Sequence, residues 1–393
     1  MSLGIYVSVP FCKAKCSFCN FASGVFAAER IDGYVGTVLE EMRGVRGWAH
    51  SLGVTVPAGV DAIYFGGGTP SLLEPEVIRR VFEGIRGEFG LNAGAEITVE
   101  CAPGQMADAS LEAFLVEGVN RFSFGVQSFV DKECTAVGRL HTGAECRAEL
   151  ERMKLAGVSR VGADLICGLP HQTEASWKHS VEQALESGVE HVSVYMLEVD
   201  EDSRLGREAL GGGVRYGAGA LPHEDDVADW YVAGCEWLAE GGVEQYEISN
   251  FARSGGQSLH NRKYWERSPY LGFGLDAHSM LRAGVGGVRW ANAEEIGEYA
   301  GRLGVFSRTV DRVGREAGFE EALFLGLRLV EGVSLEGLRG EFGGPLVEGM
   351  LEGLGDLREA GLVRVSGDRM WLTGAGRMVS NEVFERVLVG EAV

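Results

Sequence analysis

Excess basic charge, long apolar runs and a disulfide-dense cysteine pattern are all missing from this 393-residue chain. Its 36 Lys and Arg against 57 Asp and Glu give a formal charge of −21. A surface of that sign repels phosphate backbones and anionic lipid, and no basic patch offsets it, so nucleic acid is not an expected partner. No stretch approaches the roughly 18 unbroken apolar residues of a transmembrane helix. Met1 to Pro10 has neither the basic region nor the apolar core of a signal peptide, so a cytoplasmic protein is expected. Eight cysteines in such a length do not make a disulfide scaffold. The Gly-Lys-Ser/Thr end of a P-loop and the Gly-x-Gly-x-x-Gly dinucleotide fingerprint are missing too. What remains is a globular composition, 45% hydrophobic and 24% charged, long enough for two or three domains.

From Leu3 to about Leu197, short apolar runs alternate with longer amphipathic stretches. Ile5–Val9, Ala62–Phe65, Ile97–Glu100, Phe122–Val126, Val161–Ile166 and His191–Tyr195 read as strands. Tyr34–Trp48, Pro75–Phe89, Ser110–Glu117, Ala144–Ala156 and Glu174–Glu186 read as the helices between them. Such repeats predict an α/β fold, a parallel sheet covered by helices. It is either a six-stranded partial (β/α)6 barrel or a doubly wound sheet. Ligands in both gather at the carboxyl ends of the strands, and the notable residues fall there. Cys12 to Cys19 follow the first strand and Gly66–Thr69 the second, while Glu100, Gln127 and Asp164 lie at or near the ends of the next three.

Residues 1–200 are therefore read as the site-bearing domain. Residues 201–302 read as a connecting or lid region that opens with a glycine-rich, acidic stretch from Asp200 to Asp226. An amphipathic helix near Val227–Leu238 follows. Residues 303–393 read as a smaller module, with helices over Phe319–Leu329, Leu335–Phe342 and Val347–Ala360. Strands Leu362–Val365 and Met370–Leu372 complete a winged-helix-like unit for packing or partner docking.

Cys12, Cys16 and Cys19 form C-x3-C-x2-C within PFCKAKCSFCNF. Thiolates suit a [4Fe–4S] cube, and three of them leave one iron open to a chelating small molecule. Structural zinc wants four ligands, typically in two pairs, and no second pair lies within reach. Cys101, Cys134, Cys146, Cys167 and Cys235 read as small buried apolar residues. The run IYFGGGTPSLL sets Gly66, Gly67, Gly68 and Thr69 directly after a strand, where glycine lets the backbone approach a ligand. Alone, such a turn marks only a tight bend.

The cysteine spacing, with Phe18 before the last cysteine, resembles that of the radical SAM superfamily. The resemblance implies a partial barrel of radical SAM type, and S-adenosylmethionine chelated to the open iron with the glycine run as platform for its methionine end. It continues through VECAPG with Glu100, RFSFGVQSF with Gln127, GRLHT with Arg139 and DLICGLPHQT with Asp164. In the family these positions contact the ribose, carboxylate or amine of the cofactor, and Tyr6 matches a residue beside the cluster. Taken alone, Glu100 and Asp164 would read as strand-end caps and Arg139 as a surface charge. Two positions depart from the pattern: Ser8 stands where histidine is usual and Ala102 where asparagine is usual.

Over nearly the whole chain the resemblance is to two related groups, HemW-type heme chaperones and oxygen-independent coproporphyrinogen III oxidases. The oxidases carry a further cysteine where this chain has Phe21, and a long extension before the cluster, whereas here the first cysteine is residue 12. The segment Tyr246–Ser279 resembles the chaperones' signature, with His260, Asn261, Tyr264 and Trp265 matching His-Asn-x-x-Tyr-Trp. Histidine and tyrosinate are axial ligands of heme iron. On a helix His260 and Tyr264 would share a face, and Trp265 could stack on a porphyrin. His278 is a second candidate ligand, and Asp276 nearby stands where the family has glycine. The bland reading of these residues is a buried, hydrogen-bonded aromatic cluster. The resemblance favours a heme chaperone with heme-accepting apoproteins as partners over a radical SAM coproporphyrinogen oxidase, and leaves the oligomeric state open.

Overall fold

A computed structural model describes residues 1–300 and 308–387. The six expected strands form as β1 (Leu3–Val9), β2 (Gly59–Gly67), β3 (Gly90–Cys101), β4 (Arg121–Gln127), β5 (Arg160–Cys167) and β6 (His191–Met196). They lie side by side in chain order, and every pairing is parallel. Apolar residues alternate along these strands and share one buried face: Leu3, Ile5, Val7 and Val9 of β1, and Phe122, Phe124 and Val126 of β4.

The crossovers carry α1 (Arg30–Ser51), α2 (Pro75–Glu88), α3 (Asp108–Val116), α4 (Asp131–Ala136), α5 (Gly143–Leu155) and α6 (Glu174–Glu186). Pro75 opens α2, where a missing N–H leaves no helical bond unmade. Thr142 and Glu145 cap each other's backbone at the start of α5. The short α4 was not legible in the sequence.

The sheet continues beyond these six strands. β7 (Glu244–Gln245), β8 (Asn250–Ala252), β9 (Tyr270–Phe273), β10 (His278–Ala283), β11 (Gly286–Asn292) and β12 (Arg308–Val313) extend it to twelve. Its order is β12-β11-β10-β9-β1-β2-β3-β4-β5-β6-β8-β7. β9 adds to β1 in parallel, and β8 adds to β6 antiparallel. The stretch read as a connection therefore flanks the parallel core on both sides. It also holds α7 (Arg204–Leu210), α8 (Glu224–Glu240) and α9 (Leu259–Trp265), so Asp200–Asp226 is partly helical.

The expected boundary at residues 302 and 303 lies outside the described residues, and β12 beyond it still pairs with β11. Helices Arg315–Gly326, Leu335–Phe342 and Gly344–Gly353 follow, then a hairpin of Val363–Ser366 with Arg369–Leu372. These elements pack a separate core around Phe319, Leu323, Phe342 and Met370. The helix expected over Val347–Ala360 is two helices, the second being Gly355–Glu359.

Candidate cofactor site

The cysteine loop leaves β1 and is closed at its base by two backbone bonds, Cys12 N–H to the Gly24 carbonyl and Gly24 N–H to the Pro10 carbonyl, each 2.9 Å. Ser17 N–H donates to the Val137 carbonyl at 3.0 Å, which fixes the middle of the loop beside α4. All three cysteines are free thiols. They line one cavity of about 460 Å³, together with Gly67, Gly68, Thr69, Glu100, Gln127, Arg139 and Asp164. That volume lies within the usual range for small-molecule sites.

Among the described residues no three His, Cys, Asp or Glu side chains are grouped closely enough to hold one metal ion. A [4Fe–4S] cube holds each thiolate on a different iron, so its three cysteines need not crowd one centre as zinc ligands do.

The glycine run is bolted to the cluster loop. Gly68 N–H donates to the Val9 carbonyl at 3.0 Å and Thr69 N–H to the Phe11 carbonyl at 2.9 Å. A Cβ at Gly68 would stand 2.6 Å from the Val9 carbonyl oxygen and 2.8 Å from the Pro10 carbonyl carbon, so only glycine fits. Gly67 has φ +96°, and a Cβ there would meet Ser8 Oγ at 3.0 Å. Ser8 thus occupies the histidine position of the family pattern while packed directly against the glycine turn. Three side chains reach the sulfurs: Thr69 Oγ1 donates to Cys12 Sγ at 3.7 Å, Arg139 Nη1 donates to Cys16 Sγ at 3.4 Å, and Ser23 Oγ lies 3.9 Å from Cys19 Sγ. Arg139 also donates to the Gly125 carbonyl, which aims its guanidinium into the cavity.

Two carboxylates face the same space. Glu100 Oε1 accepts from Tyr64 Oη at 2.8 Å. Burial, with Asp164 nearby, pushes its pKa up to about 7. Asp164 accepts from Ser193 Oγ at 2.7 Å and Ser123 Oγ at 3.1 Å, and burial raises its pKa as well. Gln127 has φ +65°, where β4 slips register against β5. Such a bulge re-aims a side chain at a strand end.

α9 forms over the histidine–tyrosine motif, and His260 Nε2 lies 2.8 Å from Tyr264 Oη, one turn apart as the spacing requires. The motif does not offer an open heme face in this conformation. His260 is 1% exposed and stacks on Tyr64 with ring centroids 5.2 Å apart. Burial, with Lys263 adding to it, holds its pKa down to about 3, so it is neutral. His260 and Tyr264 line a second cavity of about 200 Å³ with Tyr6, Tyr64, Glu100 and Asp164. That is below the ~300–1,000 Å³ of ligand pockets.

Trp265 is covered by the guanidinium of Arg328, 4.5 Å from its ring centroid. His278 lies on β10, 3.8 Å from Asp276, and its side chain is 66% exposed. Neither lines the two cavities described. Tyr6 lines the smaller cavity rather than the one with the cysteines. Asp276 takes φ +54°, the left-handed conformation for which glycine is best suited and aspartate is tolerated. Sequence reading missed Tyr64, Ser123, Ser193 and Tyr195, all inward-facing strand residues whose only signal was their two-residue alternation.

A parallel α/β sheet carrying a three-cysteine loop, a glycine turn and strand-end carboxylates defines a radical SAM protein. The sequence profile of the Radical SAM superfamily matches residues 6–184, and that of the HemN C-terminal domain matches residues 315–379. Heme chaperone HemW of Bacillus subtilis is 32% identical over 384 residues, covering 96% of this chain and 97% of that protein. The mouse mitochondrial radical S-adenosyl methionine domain-containing protein 1 is 33% identical over 337 residues, covering 84% of this chain and 74% of its own. The solved coproporphyrinogen III oxidase HemN of Escherichia coli superposes with a TM-score of 0.82 at 22% identity, over 99% of this chain and 90% of that one. The chain belongs to the HemW family within the radical SAM superfamily.

Proposed function

We propose that the chain is a heme chaperone that holds a [4Fe–4S] cluster and S-adenosylmethionine and passes heme to acceptor apoproteins. The observation that carries this reading is the shared cavity of Cys12, Cys16, Cys19, Gly68, Arg139, Glu100 and Asp164, in a chain similar end to end to proteins named as heme chaperones. Cys12, Cys16 and Cys19 hold the cluster. The glycine run and Thr69 seat the methionine end of the cofactor, and Glu100, Gln127, Arg139 and Asp164 take its polar groups. A bound cluster with S-adenosylmethionine supplies reducing and radical chemistry. The residues themselves place the cofactor and neutralise its charges. Arg139 sets a cation beside a thiolate and a site for a carboxylate, while Glu100 and Asp164 suit an ammonium group or ribose hydroxyls.

Phe21 stands where the oxidases have a further cysteine. It lies at the mouth of the cavity and is 63% exposed, an apolar surface rather than a ligand. In this reading residues 1–200 form the partial barrel, 201–302 the segment that extends its sheet on both edges and carries the His-Asn-x-x-Tyr-Trp motif, and 303–393 a winged-helix-like module that docks acceptors. The protein works in the cytoplasm, and among the described residues no helix is long and apolar enough to cross a membrane. Heme contact by His260, Tyr264 and Trp265 requires α9 to part from Tyr64 and Arg328.

Mixing the heme-loaded protein with an apo-hemoprotein tests the proposal. Transfer appears as replacement of the donor's absorbance by the acceptor's, and heme that is never bound, or never leaves, refutes it.

A further inference from the structure

The His-Asn-x-x-Tyr-Trp motif is built into the wall behind the cofactor cavity. Strand β3 presents Glu96, Thr98 and Glu100 on one face, because strand side chains alternate with a period of two. Glu96 Oε1 accepts from the first residues of α9, from Leu259 N–H at 2.9 Å and His260 N–H at 3.3 Å. One carboxylate therefore seats the motif helix while the other, two steps along the same face, meets the cofactor cavity.

Between them the imidazole of His260 lies nearly parallel to the ring of Tyr64, at 28° and 5.2 Å. Tyr64 in turn donates its only hydroxyl proton to Glu100. Tyr264 holds the far side of the imidazole through its 2.8 Å bond to Nε2, which fixes the ring's rotation. Tyr6 completes a triangle of rings with them, its centroid 6.1 Å from Tyr64 and 6.3 Å from His260.

We infer that His260 is a positioning residue for the S-adenosylmethionine site, holding Tyr64, and through it the Glu100 carboxylate, in the orientation that receives the cofactor. This rests on the reading of Glu100 as a cofactor contact. It makes the motif that marks the family an internal support of the cofactor cavity, so displacement of α9 by a ligand loosens S-adenosylmethionine, and bound S-adenosylmethionine holds α9 in place. Coupling of this kind is reciprocal by necessity.

The test is S-adenosylmethionine affinity, by equilibrium dialysis on the cluster-reconstituted full chain, in a double-mutant cycle. Tyr64→Phe keeps the ring and loses the hydrogen bond to a charged acceptor, and is expected to bind roughly tenfold more weakly. His260→Ala is expected to lose about fivefold, and to add less than about twofold in the Tyr64→Phe background, because its effect passes through that hydroxyl. His260→Phe, which keeps a ring over Tyr64, restores binding to within about twofold of wild type. If His260→Ala does not fold, His260→Leu is judged by the same criteria. Wild-type affinity in the ring-less variant, or single losses that simply multiply in the double variant, would overturn the inference. Failure of the wild-type protein to bind S-adenosylmethionine overturns the reading of Glu100 itself, and the inference with it.

Discussion

Replacing Glu100 by glutamine separates what the site costs from what it does. The Glu100 carboxyl ordinarily titrates at 4.5 and is pushed up to about 7 by burial and by Asp164. The folded protein therefore holds this proton more tightly than the unfolded chain does. Stability from this group is complete below about pH 4.5 and is lost as pH rises toward 7. At 1.36 kcal/mol per pH unit, the gap from 4.5 to about 7 amounts to about 3 kcal/mol of strain carried at pH 8. Glutamine keeps an oxygen for Tyr64 Oη and carries no charge at any pH. Any cost of seating its amide is the same at pH 5 and pH 8, so the difference between those conditions isolates the carboxylate. Thermal melting of the cofactor-free protein at both values reads it. Glu100→Gln should gain on wild type by up to about 3 kcal/mol between pH 5 and pH 8, a rise of several degrees. The same variant should bind S-adenosylmethionine more weakly. A stability difference that is equal at the two pH values, or that turns against glutamine at pH 8, refutes the reasoning.

Gly68→Ala drives a methyl group into the backbone of the cluster loop, an overpacking cost of about 1–3 kcal/mol. Iron and sulfide per chain after reconstitution should fall well below wild type, and full incorporation would contradict the fit described. Arg139→Gln removes a cation 3.4 Å from Cys16 Sγ. The cluster should become harder to reduce, with a more negative potential in a redox titration followed by electron paramagnetic resonance; an unchanged or more positive potential counts against that placement. Glu41 on α1 accepts from Gly274 N–H, Asn292 Nδ2, Tyr299 Oη and Arg308 Nη2, all within 2.8–2.9 Å. Removing it in Glu41→Ala takes one shared buried acceptor from four donors, the Arg308 guanidinium among them, at about 3–5 kcal/mol, and should lower the melting temperature sharply. A melting temperature near wild type would show that the network is not needed.

The six core strands were legible because one face of each is written in buried apolar residues, as in Leu3, Ile5, Val7 and Val9 of β1, while the cavity-facing residues between them are polar. β7 and β8 have two and three residues, too few for any pattern to register. β9 and β11 are interrupted by Gly272, Gly286 and Gly287, which reads as loop rather than strand. Glu41 lies among helical charges that look like a solvated face, yet it is fully buried, and all four of its partners lie more than 230 residues away. The cluster loop was legible because its chemistry is local: three cysteines within eight positions. The setting of His260 was not, because α9 is oriented by Glu96, 163 residues before Leu259, and no spacing within the motif records that partner.

The most direct test of the account sets heme carriage against porphyrinogen oxidation in one preparation. The chain, with its cluster rebuilt without oxygen, is titrated with heme. A second sample receives coproporphyrinogen III with S-adenosylmethionine and reductant. The account predicts a saturable Soret band at about one heme per chain, and no protoporphyrinogen. Protoporphyrinogen formed with matching 5′-deoxyadenosine would contradict it and make the chain an oxidase, with Phe21 standing where the oxidases keep their further cysteine.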